Sequence, residues 1–540
     1  MLSIDGLSLT IEDVAAVARP AHGRSVEVRL SEEARAKLAD VRTFMTANWM
    51  TDDAPLIYSF NTGAGPFRDR RVLVSDMAEA QRRGILSHAT GMGDPFAEDT
   101  TRAMMLLRAN SIAANYSGAR PEVIDLILKF LNAGLHPVVP QQGSVGASGD
   151  LAPLAHMTAA ILGYQGSEIV YRGRRMPAAE AIGLAGFDPA FPLQPKDSSS
   201  LMNGSTTSLA VIALAVHDMA RLLKTADIAL ALTMEALRAE KAAFDARLHR
   251  ARPHVGQATV ARNILKIVGD SSRCSQDARS VVFPDEARSP GAPAPQRVQD
   301  VYSVRCAPQV HGPAREALAY ARGIVDVELN SSTDNPLVIA EAEGYVALSG
   351  GHFHGQYLAQ AADLLGIALA DLGAISERRM ARLIDPAMSF GLPRNLVSGK
   401  PGLNTGYATV ECAMTALVME NRHLATPGSV DTIPGKGNVE DHVSNSTWAT
   451  RKLAQILRNA EQVVACELLL SAQALSLVEG IADGYPIGSG SAAAMAAIRE
   501  VIPACLDGDR LFALEMRQAL DLVRSGRILD AVESVTGPLE

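Results

Sequence analysis

The 540-residue chain has 47% hydrophobic and 20% charged residues, a composition that excludes disorder, collagen and a coiled-coil rod. Fifty basic and 59 acidic side chains give a formal net charge of −9 and are interspersed along the chain, which does not favour binding to nucleic acid. The cysteines are widely spaced, odd in number and form no CxxC pair, so we expect reduced core thiols in a cytoplasmic protein. They are Cys274, Cys306, Cys412, Cys466 and Cys505.

The N-terminal residues 1–14 carry three acidic side chains and lack a basic segment followed by an apolar one, so no secretory signal is predicted. The best apolar stretch, residues 209–216, is closed by His217 and Asp218. It is shorter than the ~18 residues that a membrane span requires. We therefore expect no transmembrane helix and no membrane partner.

Alternation of apolar and polar residues is confined to short stretches such as 25–30 and 169–172, which predicts few strands. Two long runs, 205–252 and 438–479, contain neither glycine nor proline. Their apolar residues recur at three- and four-residue steps, and such runs could form helices roughly 60 Å long. A mainly α fold with a long-helix bundle, covered by oligomerisation, is predicted. The proline-rich segment 283–297 is predicted to be an exposed loop.

Several common catalytic motifs are absent. No GxGxxG precedes a helix, Gly435-Lys436 is followed by glycine in place of Ser or Thr, and neither GxSxG nor HEXXH occurs. His352 and His354 form the only tight histidine pair, and no third ligand follows at a useful spacing. We expect no metal site.

The segment 143–156 reads GSVGASGDLAPLAH and carries the strongest functional signal. A glycine-rich loop leads to Asp150, which is a good N-cap for the apolar helix that follows. An ordinary capped loop is one interpretation of this pattern. The other notes that Ala147, Ser148 and Gly149 are all small, which lets the Gly149 nitrogen approach the Ala147 carbonyl closely.

This segment resembles the signature of the aromatic amino acid ammonia-lyase family, which includes histidine, phenylalanine and tyrosine ammonia-lyases and related aminomutases. In that family an Ala-Ser-Gly triad cyclises with loss of water to 4-methylidene-imidazol-5-one (MIO), a strong electrophile. The resemblance implies that Ala147, Ser148 and Gly149 form MIO with the assistance of Asp150, and that no dissociable cofactor is needed.

Further blocks in the family's order extend the resemblance over most of the chain, and their wording is closest to histidine ammonia-lyases. They are Tyr58 in IYSFNTGAG, Ser87 and His88 in LSHATG, Asn203 in LMNGST, Gln299, Tyr302 and Arg305 in VQDVYSVRCAPQV, the run 333–336, Phe353 in SGGHFHG and Glu440 in NVEDHVS.

The resemblance implies elimination of ammonia from an α-amino acid. MIO would capture the substrate amine, a form of covalent catalysis, and Tyr58 on a mobile inner loop would be the base. Arg305 suits the substrate carboxylate, because a guanidinium makes two parallel charge-assisted bonds. Asn203, Gln299 and Tyr302 would bond the carboxylate, the amine or the MIO carbonyl. Taken alone, Tyr58 is equally a structural loop residue and Arg305 an ion-pair partner.

Substrate choice depends on His88 and Glu440, since a histidine facing a carboxylate can clamp an imidazole; Phe353 is a further substrate-binding residue. L-Histidine, converted to trans-urocanate, is therefore the favoured substrate. Some residues depart from the histidine lyase pattern and leave a histidine derivative or another arylalanine open. They are Ala64, Val301, His352, Val439, Asn445 and Ser446.

The resemblance implies a fold of the fumarase and aspartase superfamily, with an N-terminal MIO-bearing domain (1–204) and a C-terminal long-helix bundle domain (205–540). It also implies a homotetramer in which several subunits share each active site. Two alternatives stay open: a lyase or 2,3-aminomutase for tyrosine or phenylalanine, and a non-catalytic helical scaffold that has kept the motif.

Overall fold

The computed structural model describes residues 1–20, 26–188, 190–288, 293, 297–435 and 439–540. These residues are mainly helical, as predicted. The helices in chain order are α1 (Ile11–Ala18), α2 (Glu32–Trp49), α3 (Met77–His88), α4 (Glu98–Ala113), α5 (Pro121–Ala133), α6 (Leu151–Ile161), α7 (Ala178–Leu184), α8 (Asp197–Met202), α9 (Thr206–Leu237), α10 (Ala246–Ala251), α11 (Val255–Val268), α12 (Tyr302–Arg305), α13 (Ala307–Glu328), α14 (Gln356–Leu383), α15 (Pro386–Ser389), α16 (Ala408–Leu424), α17 (Ser446–Leu477), α18 (Ser489–Val501), α19 (Phe512–Ser525) and α20 (Arg527–Thr536).

The strands of the described residues are short. They are β1 (Leu2–Ile4), β2 (Val28–Leu30), β3 (Met92–Pro95), β4 (Leu135–Pro137), β5 (Pro140–Gln142), β6 (Glu168–Tyr171), β7 (Arg174–Pro177), β8 (Leu337–Glu341) and β9 (Gly344–Leu348). β1 and β2 pair in parallel, β3 pairs with β5, β4-β6-β7 form an antiparallel sheet, and β8 and β9 form a hairpin. The alternating stretch 25–30 thus contains β2, and the stretch 169–172 contains β6 except for its first residue. Residue 25 lies outside the described residues.

The first of two compact units comprises Met1–His217, Ala321–Asp363 and Pro427–Lys452. It contains every strand named above and has α4 in its core, where residues 101–113 are all buried. Two arginines, Arg102 and Arg108, are part of this buried stretch, so their charges need internal partners. The division into domains 1–204 and 205–540 stays a prediction.

The second unit comprises Asp218–Tyr320, Leu364–Thr426 and Leu453–Glu540, and its described residues form no strand. Its long helices meet at a buried ion pair, in which Arg379 of α14 donates to Glu467 of α17 over 2.7 Å. Thr233 of α9 donates to the other oxygen of the same carboxylate over 2.8 Å. A buried charge pair satisfied in this way fixes the pairing of the three helices within the unit.

The two longest helices, α9 and α17, contain 32 residues each and measure about 48 Å. They confirm the predicted long helices but are shorter than the breaker-free runs. α9 stops because Arg238 turns to φ +52° and buries its guanidinium, which donates to the carbonyls of Val281 and Phe390. α17 begins only after Asn445, which has φ +53° and donates to the Gly428 carbonyl over 3.2 Å.

Two helices have the length and mean hydropathy of a membrane span, although the sequence contains no continuous apolar run of ~18 residues. α9 and α14 meet both criteria, with mean hydropathies of 1.3 and 1.5 over an 18-residue window, because the few polar residues that interrupt the apolar run leave its mean high. The windows are 78% and 56% buried inside the structure. Buried core helices satisfy the same two criteria.

Two other predictions meet mixed results. Cys274, Cys466 and Cys505 are buried, but Cys412 is exposed on α16, so the prediction of a core thiol was wrong there. Part of the proline-rich loop 283–297, namely positions 289–292 and 294–296, lies outside the described residues. Residues 283–288, which are described, belong to no helix and no strand.

Candidate active site

Gly149 lies where the chain has no room for a side chain. It has φ +66° and forms a parallel bridge with Gly204. A Cβ atom added to Gly149 would lie 2.2 Å from the Gly204 carbonyl carbon and oxygen, far inside van der Waals contact. The Asp150 N–H donates to the Gly204 oxygen over 2.7 Å. Only glycine therefore allows the 147–149 loop to lie against the 203–204 turn.

Asp150 is fully buried and bonds to the first turns of two long helices. Its Oδ2 accepts from the Ser208 N–H of α9 over 2.7 Å. Its Oδ1 accepts from the Thr447 hydroxyl of α17 over 2.6 Å and from the Ser208 hydroxyl over 3.0 Å. Burial raises the pKa of Asp150, and these hydrogen bonds oppose the rise.

Asp150 was predicted to cap the helix that follows it, and its side chain instead bonds to other helices. Asp150 occupies the N-cap position of α6, but its side chain makes no capping bond there. The carboxylate instead satisfies a free N–H in the first turn of α9, where an anion also interacts favourably with the helix dipole. The residue that follows the Ala-Ser-Gly triad therefore anchors the loop to α9 and α17.

A cavity of ≈ 740 Å³ opens beside this loop and is lined by residues of the first unit. Seven of the predicted site residues line it: Tyr58, His88, Ala147, Ser148, Asn203, Phe353 and Glu440. Two of the residues that depart from the histidine lyase pattern, Ala64 and Val439, line it as well. The sequence motifs thus converge on one cavity although they are spread over almost 400 positions.

Tyr58 projects from an internally bonded loop between α2 and α3. The Asn61 side chain accepts from the Ile57 N–H over 2.7 Å and donates to the Pro55 carbonyl over 2.9 Å, which closes the turn around Tyr58. The Tyr58 hydroxyl accepts from the Gly65 N–H over 3.1 Å. This bond fixes the position of the phenol oxygen at the cavity.

His88 ends α3, and its hydrogen bonds fix how the ring is protonated. Its Nδ1 lies 2.7 Å from the Gly84 carbonyl oxygen, which can only accept, so Nδ1 carries a proton. In the neutral ring, Nε2 is then an acceptor. Ser87 also approaches Nδ1, at 3.1 Å.

Glu440 accepts a hydrogen bond from the Ser148 hydroxyl over 2.8 Å. It is not in a helix but forms an isolated bridge with Gly435. His354 and His442 also line the cavity, with ring nitrogens 3.3 Å apart. Among the described residues, no group of three or more metal-ligating side chains is positioned to bind a metal ion.

Gln299, Tyr302 and Arg305 do not line this cavity. They belong to the second unit, at the start of α12. Tyr302 is 70% exposed, and the Arg305 guanidinium lies 4.6 Å from its ring centroid. Arg305 also donates from Nε to the Asp300 carbonyl over 2.8 Å.

Two polar residues that support this loop, Lys196 and Arg108, were missed by the sequence reasoning, which named only Asn203 and the run 333–336. Asn203 donates to Asp334 over 3.1 Å, and Asp334 is paired with the buried Lys196 over 2.7 Å. Arg108 donates to the Asn203 carbonyl over 2.5 Å. One signal was available, since an arginine within the apolar run MMLLRA of α4 cannot be buried without an internal acceptor.

The buried contact between Gly149 and Gly204 lies beside this cavity in a fold of long helices, and the family model that matches the chain is that of a lyase family. The model of the aromatic amino acid lyase family matches residues 9–500, and the chain belongs to that family. It is 42% identical to histidine ammonia-lyase of Gloeobacter violaceus over 539 residues, which covers 100% of this chain and 99% of the relative.

Solved structures agree in fold. Histidine ammonia-lyase from Trypanosoma cruzi superposes with a TM-score of 0.86 at 32% identity, covering 99% of this chain and 95% of the other. Tyrosine aminomutase from Streptomyces globisporus gives a TM-score of 0.88 at 32% identity, with full coverage of both chains. The predicted family, fold and carbon-nitrogen lyase class are confirmed.

Proposed function

We propose that the protein eliminates ammonia from L-histidine and releases trans-urocanate. The observation that carries the proposal is the arrangement of three features around one cavity: the 147–149 loop pressed on Gly204, the acceptor ring of His88, and the Glu440 carboxylate. The names of the full-length relatives support the same substrate.

The residues present fit an MIO group formed from Ala147, Ser148 and Gly149. Closure joins the Gly149 nitrogen to the Ala147 carbonyl carbon. The first water carries away the Ala147 oxygen with the amide protons of Ser148 and Gly149, and the second carries away the Ser148 hydroxyl with its α-proton. The balance is redox-neutral and needs no co-reactant. The group supplies an electrophile for the substrate amine.

The chain's own residues support both the closure and the elimination. Gly149 has a positive φ and a close contact with Gly204 that a residue with a side chain could not adopt, and Asp150 anchors the end of the loop. Glu440 is bonded to the hydroxyl that departs from Ser148. Tyr58 takes a proton from the substrate β-carbon, and the Gly65 N–H bond holds its hydroxyl in place at the cavity.

The substrate ring occupies the part of the cavity between His88 and Glu440, with Phe353 against it. When His88 Nδ1 donates to the Gly84 carbonyl, Nε2 of the neutral ring can accept, and the Glu440 carboxylate is also an acceptor, so the two groups favour a ring that carries an N–H donor. Asn203 binds the substrate carboxylate or amine. An aromatic ring without an N–H group would offer no hydrogen bond to either residue, which weakens its binding.

Gln299, Tyr302 and Arg305 complete the site from a neighbouring subunit in a homotetramer. The support for this assignment is that Tyr302 is exposed and that these residues do not line the cavity of their own chain. Arg305 then binds the substrate carboxylate. A cytoplasmic location is part of the same proposal.

The proposal is tested by intact-mass measurement and by an ultraviolet assay for urocanate. We expect the wild-type chain to be lighter by about two waters, because the closure described above is a dehydration. Ser148→Ala lacks the departing hydroxyl, so it is expected to retain the folded oligomer and lose turnover and the second water. An unmodified mass in active wild-type protein would refute the proposal.

A second candidate is a lyase or 2,3-aminomutase acting on a histidine derivative or another arylalanine. It is favoured by the small side chains of Ala64 and Val439 at the cavity, which leave space for a larger ring or substituent. Product analysis after incubation with L-histidine, L-tyrosine and L-phenylalanine separates the two, since an aminomutase gives a β-amino acid and a lyase gives free ammonia.

A further inference from the structure

Arg108 is the charged group closest to the back of the 203–204 turn. It is fully buried on α4, and its Nη1 donates to the Asn203 carbonyl over 2.5 Å. Its Nη2 donates to Ser111 on the same helix over 3.0 Å. The guanidinium therefore links one peptide of the turn to a rigid helix of the first unit.

The next peptide of the turn faces the opposite way, toward the 147–149 loop. The Gly204 oxygen accepts from the Asp150 N–H over 2.7 Å. A Cβ atom on Gly204 would lie 2.7 Å from Arg108 Nη1 and 2.3 Å from the Thr333 hydroxyl. Gly204 is thus enclosed between Arg108 and Thr333 on one side and Gly149 on the other.

We propose that Arg108 is a positioning residue for the closure of Ala147, Ser148 and Gly149, because it fixes the wall against which Gly149 lies. The inference rests on the proposed function. A bond to a charged donor is stronger than a neutral one and here fixes a peptide plane. Without that bond the Asn203 carbonyl is buried and unpaired, and the turn can rotate away from Gly149.

The neighbouring polar residues do not replace Arg108. Asp334 and Lys196 act on the Asn203 side chain and not on its carbonyl. Burial lowers the pKa of Arg108 to about 10, while Asp334 and Asp150 oppose that shift, so the guanidinium stays charged at neutral pH. Arg108 is therefore the charged donor that the structure gives to this carbonyl.

Arg108→Met in the full-length protein tests the inference, and Arg102→Met is its matched control. Arg102 is buried on the same helix, but it donates to the Val17 carbonyl and contacts His136, away from the turn. We expect the dehydrated fraction, measured by intact mass at fixed times after synthesis, to be lower by about tenfold in Arg108→Met. Arg102→Met is expected to lose similar thermal stability and to dehydrate fully.

Equal dehydration of the two methionine variants would overturn the inference. If Arg108→Met does not fold, Arg108→Lys decides, because lysine keeps one charged donor and loses the forked pair of bonds. Its dehydration is expected to be slower than that of the wild type, and a wild-type rate would also overturn the inference. Failure of the proposed function is distinguishable, since the wild-type chain would then show no loss of mass.

Discussion

Glu440 and His88 both line the cavity, and in the proposed function this pair selects which ring binds. Glu440→Gln replaces one acceptor by a mixed amide, which fits an N–H donor less well. We expect kcat/KM for L-histidine to fall by about 10- to 100-fold, the cost of a lost charge-assisted bond. The loss for L-phenylalanine is expected to be smaller.

The measurement compares kcat/KM for the two substrates. Because Glu440 also contacts Ser148, the concentration of active sites is corrected for the fraction of chains that show the mass deficit of the dehydrated triad. Asp441→Asn is the control, since Asp441 lines the same cavity one residue further on. An equal loss for both substrates would remove Glu440 from ring recognition.

At the scale of single residues, local patterns revealed the chemistry but not its support. The Ala147-Ser148-Gly149 triad and Asp150 were identified from a contiguous motif. The partners of Asp150, Ser208 and Thr447, lie 58 and 297 positions away. A local sequence pattern cannot reveal partners at such separations, so the side chain of Asp150 was predicted to cap its own helix.

Among the helices, the C-terminus of α13 contains a carboxyl group with a displaced pKa. Burial raises the pKa of Glu328 from the ordinary 4.5 to about 7, and a Ser205 hydrogen bond opposes the rise. A carboxylate at a helix C-terminus is also disfavoured by the helix dipole. Between pH 4.5 and 7 the unfolded chain releases a proton that the folded chain retains, so stability falls as pH rises.

Glu328→Gln is therefore expected to remove part of this pH dependence. The free energy of unfolding should gain about 1 to 3 kcal/mol relative to the wild type at pH 8 and little at pH 4.5, from the linkage between pKa and stability. Denaturant titrations at the two pH values measure it. Asp326→Asn, an exposed neighbour on α13, is the control, and a gain that does not vary with pH would contradict the assignment.

Helix existence was predictable from periodicity, whereas helix ends were not. The run 205–252 has no breaker residue, yet α9 ends at Leu237 because the Arg238 side chain finds buried acceptors. These acceptors are at Val281 and Phe390, and their positions depend on tertiary packing. Tertiary contacts of this kind outweigh local helix propensity.

For the molecule as a whole, the proposed sharing of sites between subunits predicts complementation. Ser148→Ala and Arg305→Ala chains, each inactive alone, are expected to regain activity when co-expressed. Random mixing leaves about a quarter of sites with both native residues if these come from different subunits. Each chain carries a different affinity tag, and purification on both tags in turn selects mixed oligomers for the assay.

Activity no higher than that of either single variant would mean that Ser148 and Arg305 act within one chain. Mixing the two proteins after separate purification is the control, because intact oligomers then have no chance to exchange subunits during assembly. The sequence motifs placed both residues in one site through the family resemblance, but a single chain does not reveal which copy supplies each of them.

The carboxylate of Asp150 joins three distant parts of the chain, and this limits how the site can be reused in protein engineering. Grafting the octapeptide 143–150 into another scaffold would transfer the reactive triad without the helix starts that bind its last residue. A successful graft would also need the glycine turn and the first turns of two helices in their present orientation. The smallest transferable unit is therefore an assembly of segments, and not a loop.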